Sequence, residues 1–322
     1  MKKSIIYSIT FFTIAMTSIA QAKEPTVVRL ATHDSFVMSN ELIKQFQTQT
    51  GLTLKIIRLG DAGALTIKLV LTKSNPIADA MFGIDNTFSG VATSNNIIQG
   101  SLLAVDFGDI CFNYDIAWFK KKKVTPPSSW RDLTKAAYKN LTVISNPKIS
   151  SPGMAFLATT YAGFSSADQT SHYWSSLKAN GVKVDSSWDD AYFVDFSGSS
   201  GKGTRPIVLS YTSSPSAEIG KDGAPRTASL LKDCFRQIEY VGVLKNSLAP
   251  KAAQQLISFM LSDAFQRAMP ASMYVYPINP KTPLPVEWVK YSQAATSVIG
   301  SNLDIQGNRS KWLKAWSAVF GS

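Results

Sequence analysis

Histidine is scarce in this sequence: His33 and His172 are the only two in 322 residues. Metal centres and the activation of a serine or cysteine nucleophile commonly depend on well-placed imidazoles, so this shortage argues against both. A phosphate-binding glycine loop and a dinucleotide fingerprint are also missing. We therefore predict a protein that is not an enzyme, with no catalytic residue, no cofactor and no metal site.

Long apolar runs are equally scarce, and the one that occurs, Ile5–Met16, lies near the start of the chain. It follows the basic pair Lys2-Lys3 and precedes the small-residue triplet Ala20-Gln21-Ala22, which is the layout of a cleavable secretory signal. A membrane anchor is the alternative, but the run is short for roughly 30 Å of hydrocarbon. We predict a signal peptide over residues 1–22 and a soluble mature chain that is periplasmic or secreted.

Cysteine occurs twice, as Cys111 and Cys234. In an exported protein an even pair is a candidate disulfide, with two buried free thiols as the alternative. The formal net charge of +11 is scattered, and its one run, Lys120–Lys123, precedes two prolines in a predicted loop. Basic and aromatic residues do not alternate as they do in nucleic-acid-binding surfaces, so we predict no nucleic-acid partner.

Short strand-like runs alternate with helical periods along the chain, as in Val27–Ala31, Glu41–Thr50 and Leu52–Leu59. This alternation predicts an α/β fold with a mostly parallel sheet covered on both faces. A second set of such units begins after Asp109, and a length of about 300 residues fits two lobes. Ligands in these sheets bind at the carboxyl ends of strands, which directs attention to the strand-to-helix junctions.

Three kinds of junction could carry a ligand. Two present a carboxylate or hydroxyl after a buried strand, where a helix cap is the alternative, and these are Asp34, Ser35 and Asp85. One presents the start of a helix that suits an anion, at Ser150, Ser151 and Gly153. The others are aromatic or polar positions that could flank a flat, positively charged ring, with core packing as the alternative: Trp188, Tyr192, Tyr211, Ser213 and Tyr274.

The sequence resembles the thiamine-binding proteins of bacterial ABC importers, which have the type 2 periplasmic-binding-protein fold. The resemblance is carried, in order, by the segments His33–Phe36, Gly60–Leu65, Gly83–Asn86, Val105–Asp109, Asn113–Asp115, Ser150–Gly153, Ser187–Tyr192, Leu209–Pro215 and Met273–Pro277. The segments around Cys111 and Cys234–Gln237 are most similar to the actinobacterial branch. At His33 and Tyr274 the chain departs from enterobacterial members, which have Tyr and Trp there.

The resemblance implies a receptor that captures thiamine or its phosphates for a membrane permease and acts as a monomer. Asp34 and Asp85 would face the ligand's amino group or positive ring. Trp188 and Tyr211 would pack on its rings, and the segment Ser150–Gly153 would hold a phosphate.

The resemblance also implies a division into lobes. Residues 23–109 and 237–322 would form lobe 1 and residues 110–236 lobe 2. The two crossover hinge strands would be Ile110–Asp115 and Cys234–Tyr240, and a disulfide between Cys111 and Cys234 would tie them together.

Two other classes of function compete with this one. A thiamine-degrading transferase of the thiaminase I type would use Cys111 as its nucleophile. A receptor of the same fold for iron or a polyamine is the second, although ferric receptors usually show adjacent tyrosines and Tyr211 is followed by Thr212-Ser213.

Overall fold

The structure is a computed structural model that describes residues 26–199 and 202–321. The predicted signal peptide, residues 1–22, lies outside the described residues. Ten strands are present in this part of the chain: β1 Val27–Thr32, β2 Thr53–Arg58, β3 Ala80–Asp85, β4 Ile98–Asp115, β5 Thr142–Ser145, β6 Lys183–Asp185, β7 Ile207–Tyr211, β8 Thr227–Ser229, β9 Phe235–Leu244 and β10 Tyr276–Pro277.

Ten α-helices surround these strands in the described residues: α1 Asn40–Thr50, α2 Ala62–Leu71, α3 Ser89–Ser94, α4 Ile116–Lys122, α5 Ser151–Gly163, α6 Ala167–Ala179, α7 Pro250–Met260, α8 Asp263–Met273, α9 Val286–Tyr291 and α10 Ile305–Phe320. A pair of 3-10 turns, Trp130–Thr134 and Ala136–Tyr138, follows α4. A π-helical turn, Asp190–Asp195, follows Trp188. No helix in the described part of the chain is both long and apolar enough to cross a bilayer.

The strands form one continuous sheet in the order β2-β1-β3-β9-β4-β7-β5-β6. We call the part built around β1–β3 the first lobe and the part built around β5–β7 the second lobe. The long strands β4 and β9 run between the two lobes, which gives the two-lobed type 2 periplasmic-binding-protein fold.

The prediction of a mostly parallel sheet is wrong at the centre of the molecule. Parallel pairs occur within each lobe, where helices connect β1 to β2 and β5 to β6. Every pair that involves β4 or β9 is antiparallel. The pattern of apolar residues marks a buried strand but does not encode the direction of its neighbours, so alternation alone predicts parallel pairing for the crossover strands as well.

Strands β1 and β3 of the first lobe are largely buried, which explains their mostly apolar sequences. Val28 and Leu30 in β1 pack with α1, α7 and α8 on one face. Ala31 and Met81 belong to a cluster on the opposite face, which continues into the second lobe as far as Ile144. Apolar clusters therefore pack on both faces of this sheet and fix the positions of the strand ends.

Two covalent or ionic contacts join β4 to β9 where they enter the second lobe. Cys111 and Cys234 form a disulfide with Cα atoms 4.9 Å apart. Two residues along each strand from the disulfide, Arg236 donates two hydrogen bonds to the buried carboxylate of Asp109, at 2.7 and 2.9 Å. Both contacts restrain the pair of strands that connects the lobes.

The two predicted lobe boundaries follow Asp109 in β4 and Arg236 in β9. These residues are register partners, so the two boundaries lie side by side on neighbouring strands. The C-terminal segment contacts both lobes. Helix α10 packs against α6, its Trp312 stacks on Tyr161 of α5 at 4.6 Å, and it also reaches α3. The assignment of residues 237–322 to the first lobe stays a prediction.

We expect removal of the disulfide to destabilise the protein. The bridge spans 123 residues, and in the chain-entropy model a closed loop of that size is worth about 4–5 kcal/mol. The double variant Cys111→Ala/Cys234→Ala should lose a comparable part of its free energy of unfolding, measured by urea denaturation.

A reductant should lower the urea midpoint of the wild type and leave that of the double variant unchanged. Equal free-thiol counts in the unfolded wild type with and without reductant would show that the bridge does not form.

Candidate ligand-binding cleft

A small cavity lies between the lobes at the carboxyl ends of the strands, where the fold predicts a ligand. Its volume is about 40 Å³. The residues that line it come from both lobes and from the crossover strand β9: His33, Ser35, Asp61, Ala62, Ser151, Pro152, Trp188, Tyr211, Glu239, Met273 and Val275.

Trp188 forms an aromatic wall of the cavity. One face of its indole stacks on Tyr192, with ring centroids 4.9 Å apart and planes at 19°. Its Nε1–H donates to the Ser210 hydroxyl at 3.1 Å, which holds the ring in place. Tyr211 meets the indole edge to face at 5.9 Å. The two rings therefore form a corner, and a ligand would contact the surface that they leave open.

Tyr211 is oriented by a chain of hydrogen bonds that ends at the start of α5. Its hydroxyl donates to the Gln237 side chain at 2.8 Å, and the Gln237 amide donates to the Ser151 hydroxyl at 3.3 Å. Gly108 in β4 lies beneath the ring, where a Cβ atom would come within 2.7 Å of it. A glycine is thus needed in the crossover strand to seat Tyr211.

Asp61 caps α2 and at the same time reaches across the cleft. Its carboxylate accepts from the Ala62 N–H at 2.6 Å within the first lobe and from the Trp188 N–H at 3.0 Å in the second. Burial raises the pKa of Asp61, while hydrogen bonds with Trp188, the Ser150 side chain and Ala62 oppose that rise. The carboxyl group therefore accepts hydrogen bonds from both lobes at their junction.

His33 is the one cavity-lining side chain, among the described residues, that can carry a positive charge. Its Nε2 lies 3.4 Å from Glu239 Oε1. Burial acts to lower the pKa of His33, but the carboxylates of Glu239, Asp61 and Asp189 outweigh burial and raise it. The ring packs against Gly83, whose φ of 94° and missing side chain leave the space that His33 fills.

Three buried carboxyl groups stand side by side across the sheet beneath the cavity. Glu239 in β9 has Asp85 of β3 as its register partner on one side and Asp106 of β4 on the other. Burial raises the pKa of Asp85 to about 7. Burial and the neighbouring Glu239 raise the pKa of Asp106 well above its ordinary value. We call Asp85, Glu239 and Asp106 the carboxyl row.

Four of the predicted ligand residues line the cavity, namely Ser35, Ser151, Trp188 and Tyr211. Ser35 also donates to Asp189 of the second lobe at 2.6 Å. These residues are adjacent because each follows a strand or begins a helix at the same edge of the sheet. Their contact with a ligand stays a prediction.

The other predicted ligand residues have partners within the protein. Asp34 is exposed and accepts from the Gly60 N–H at 3.0 Å, and Asp85 accepts from the Thr87 hydroxyl at 2.8 Å. Ser150 donates to Ser145 at 2.8 Å, and Gly153 lies against the backbone of Ser145 and Asn146. Tyr192 donates to Glu218 at 3.2 Å, and Ser213 donates to the Tyr274 carbonyl at 2.5 Å.

Sequence reasoning did not select three ionisable residues of the cavity as ligand residues: His33, Asp61 and Glu239. Asp61 precedes an apolar helix and carried the signal of an N-cap. Gln237 and Glu239 lie two residues apart on the same, inward face of β9. Two polar residues at this spacing in a buried strand are a signal that the strand forms the base of a polar site. No group of three or more His, Cys, Asp or Glu side chains within residues 26–199 and 202–321 is arranged to hold a metal ion.

Residues 78–295 match the family model described as bacterial extracellular solute-binding protein. The chain belongs to this family. The cleft between the lobes is where such a solute-binding protein is expected to hold its solute.

Curated relatives and solved structures agree with this assignment. The thiamine-binding periplasmic protein of Escherichia coli is 27% identical over 90% of this chain and 92% of its own length. Its counterpart in Salmonella typhimurium is 26% identical over 92% and 94%. A solved periplasmic thiamin binding protein superposes with a TM-score of 0.78 at 24% identity, covering 93% of this chain and 97% of that one.

The carboxyl row predicts that stability falls as the pH rises. Folded Asp85 titrates near pH 7 instead of its ordinary 3.8, so between these values the folded state binds more protons than the unfolded state. Its contribution to stability is fully present below about pH 4 and is lost as the pH rises through about 7. The total loss in the free energy of unfolding is up to about 4 kcal/mol.

The side chain introduced by Asp85→Asn stays neutral at every pH. The free energy of unfolding of this variant, relative to that of the wild type, should therefore be about 2–4 kcal/mol higher at pH 8 than at pH 4.5. Urea denaturation at the two pH values measures this. Asp263→Asn, at an exposed position, should show no such gain. A difference between Asp85→Asn and wild type that is the same at both pH values would contradict the raised pKa.

Proposed function

We propose that this solute-binding protein captures thiamine in the cleft between its lobes and delivers it to an ABC importer. The observation that carries this proposal is the combination of an indole ring that lines the cavity, that of Trp188, with an excess of carboxyl groups. Asp61 and Glu239 line the cavity, and the rest of the carboxyl row lies behind Glu239.

Thiamine joins a permanently positive thiazolium ring to an aminopyrimidine, and each part has a counterpart here. A cationic ring over an indole gains about 0.5–2 kcal/mol from the negative face of the aromatic system. Glu239 attracts the same charge through Coulomb interaction in a site that excludes water. The aminopyrimidine can donate to a carboxylate, for which Asp61 and Asp189 are the nearest candidates.

Binding must be accompanied by separation of the lobes. A cavity of about 40 Å³ is far below the roughly 300–1,000 Å³ of most organic ligand sites. Hydrogen bonds that cross the cleft would break on opening, and they include Ser35 to Asp189, Trp188 N–H to Asp61, and Gly63 N–H to the Ile149 carbonyl at 2.9 Å. The restrained pair β4 and β9 would then act as the hinge.

The names of the relatives support both the ligand and the location. The proteins from Escherichia coli and Salmonella typhimurium are thiamine-binding and periplasmic, so we propose a periplasmic protein exported by a cleaved signal. Its partner would be the membrane permease of the importer, and it would act as a monomer.

The disulfide argues against the thiaminase alternative, because Cys111 is bonded to Cys234 and has no thiol to form a nucleophile. The absence of a metal-binding cluster among the described residues leaves the iron alternative without a specific observation in its favour.

Thiamine should change the tryptophan fluorescence of the protein through Trp188. The variant Trp188→Phe should lose this response and bind thiamine at least about tenfold more weakly, because a ring-stacking surface worth about 1.4 kcal/mol is reduced. Fluorescence and calorimetric titrations measure the two effects.

Trp118→Phe, on α4 and outside the cavity, should keep both the response and the affinity. No heat and no thermal shift of the wild type with saturating thiamine would overturn the proposed function.

Glu239→Gln should weaken thiamine binding about tenfold or more, because it removes the carboxylate that faces the ligand's charge. Glu218→Gln is the matched control: Glu218 is as buried as Glu239 but pairs with Arg226 and does not line the cavity. Equal loss of affinity in both variants would show that the effect is structural.

A further inference from the structure

Four consecutive lysines, Lys120–Lys123, lie at the end of α4 in the second lobe. The sequence pattern predicts a loop here, whereas in the structure the first three lysines form the last turn of the helix and Lys123 is its C-cap. All four side chains are exposed. Solute capture in the cleft makes no use of them. We call these four residues the lysine patch.

The charges of the lysine patch are not neutralised within the described part of the chain. The ion pairs found there all involve other cations. The dipole of a helix favours a cation in its last turn, but adjacent ammonium groups also repel one another. An anionic partner at this surface would relieve that repulsion.

An open groove of about 340 Å³ lies beside the lysine patch. Lys120 and Lys123 line it together with a set of mainly apolar side chains: Tyr114, Ile116, Phe119, Val124 and Pro126. The half-buried Trp118 packs edge to face on Phe119, with ring centroids 5.0 Å apart. Positive charge, an indole ring and an apolar groove are therefore neighbours on one surface.

We propose that the lysine patch and the groove beside it dock the protein on an anionic phospholipid bilayer. Lysines and a tryptophan on one helix, next to apolar side chains, have the composition of segments that lie in the interface of a membrane. An acidic protein would pair with the ammonium groups but would leave the apolar groove without a matching occupant. This inference goes beyond solute capture and uses only the proposed export of the chain.

The lysine patch lies at the end of the second lobe that is remote from the cleft. Strand β7 begins at Ile207, which pairs with Tyr114 just before α4, and ends at Tyr211, which lines the cavity. The rise along an extended strand places these two ends about 13 Å apart. A protein docked through the lysine patch would therefore keep its cleft clear of the bilayer.

The charge of the patch sets the strength expected of this contact. Each lysine near an anionic bilayer strengthens binding about fivefold. The attraction falls off within a Debye length, so it depends on lysines that can lie together at the surface and weakens as salt is added. Four adjacent lysines satisfy that condition, whereas lysines scattered over the molecule do not.

The test is cosedimentation of the mature chain with phospholipid vesicles. One set contains phosphatidylcholine alone, and the other contains phosphatidylcholine and phosphatidylglycerol in equal amounts. At low ionic strength the wild type should bind the anionic vesicles at least about tenfold more strongly than the neutral ones, and salt should release it.

The variant Lys120→Gln/Lys121→Gln/Lys122→Gln/Lys123→Gln should bind the anionic vesicles at least about a hundredfold more weakly than the wild type. Glutamine has nearly the helix propensity of lysine, so α4 should be retained and the urea midpoint should not fall.

The matched control removes the same number of charges from exposed lysines of the first lobe, in Lys44→Gln/Lys55→Gln/Lys68→Gln/Lys73→Gln. These lysines do not line the groove. The control should stay within about threefold of the wild type, because separated charges beyond a Debye length act weakly on the same surface.

Three results would overturn the inference. The first is equal binding of the wild type to neutral and anionic vesicles. The second is an equal loss of binding in both quadruple variants, which would show an effect of net charge alone. The third is retention on immobilised polyglutamate without binding to anionic vesicles, which would indicate an acidic protein as the partner.

Thiamine titrations of the same proteins separate this inference from the proposed function. The variant of the lysine patch should bind thiamine as tightly as the wild type does, because the patch is remote from the cleft. A wild type that binds anionic vesicles as expected but does not bind thiamine would overturn the proposed function and support docking on the bilayer.

Discussion

Antiparallel pairing of β4 with β9 is the constraint on which the rest of the molecule depends. The two strands pair from Ile98 and Leu244 in the first lobe to Ile110 and Phe235 at the second. They also build the floor of the cleft, since Glu239 and Gln237 lie on β9 and Gly108 on β4. The hinge and the base of the site are thus the same elements. A change of register between these strands would move every charged group beneath the ligand.

Repulsion within the carboxyl row is reduced because some of its members are protonated. Three ionised carboxylates on adjacent strands would repel one another in a site from which water is excluded. Burial instead raises the pKa of Asp85 to about 7 and that of Asp106 well above its ordinary value, so the row carries fewer than three charges near neutral pH. Glu239, the member that lines the cavity, is left to attract a cation, and His33 shields part of its charge.

Sequence reasoning found the parts of the site that are encoded locally and missed the parts that depend on pairing. Trp188, Tyr211 and Ser151 lie at a strand end or helix start, where α/β sheets bind ligands, and all three line the cavity. Glu239 was missed because its importance comes from two neighbours in other strands, and no local pattern states which strands will be adjacent. Strand β4 was predicted only from Ile110, since residues 99–104 in its first half are exposed or half-buried and lack the pattern of a buried strand.

Asp61 shows how one carboxylate can support both states of a two-lobed receptor. Its bond to the Ala62 N–H stays within the first lobe, so the helix cap survives when the lobes separate, whereas the bonds with the Trp188 N–H and the Ser150 side chain are lost. Hydrogen bonds to a charged group contribute about 1.5–3 kcal/mol, and the Ser35–Asp189 bond adds a second of this kind. Closure without a ligand is therefore favoured by a few contacts alone. A ligand of modest binding energy can shift that equilibrium, because it needs to supply only the difference between the two states.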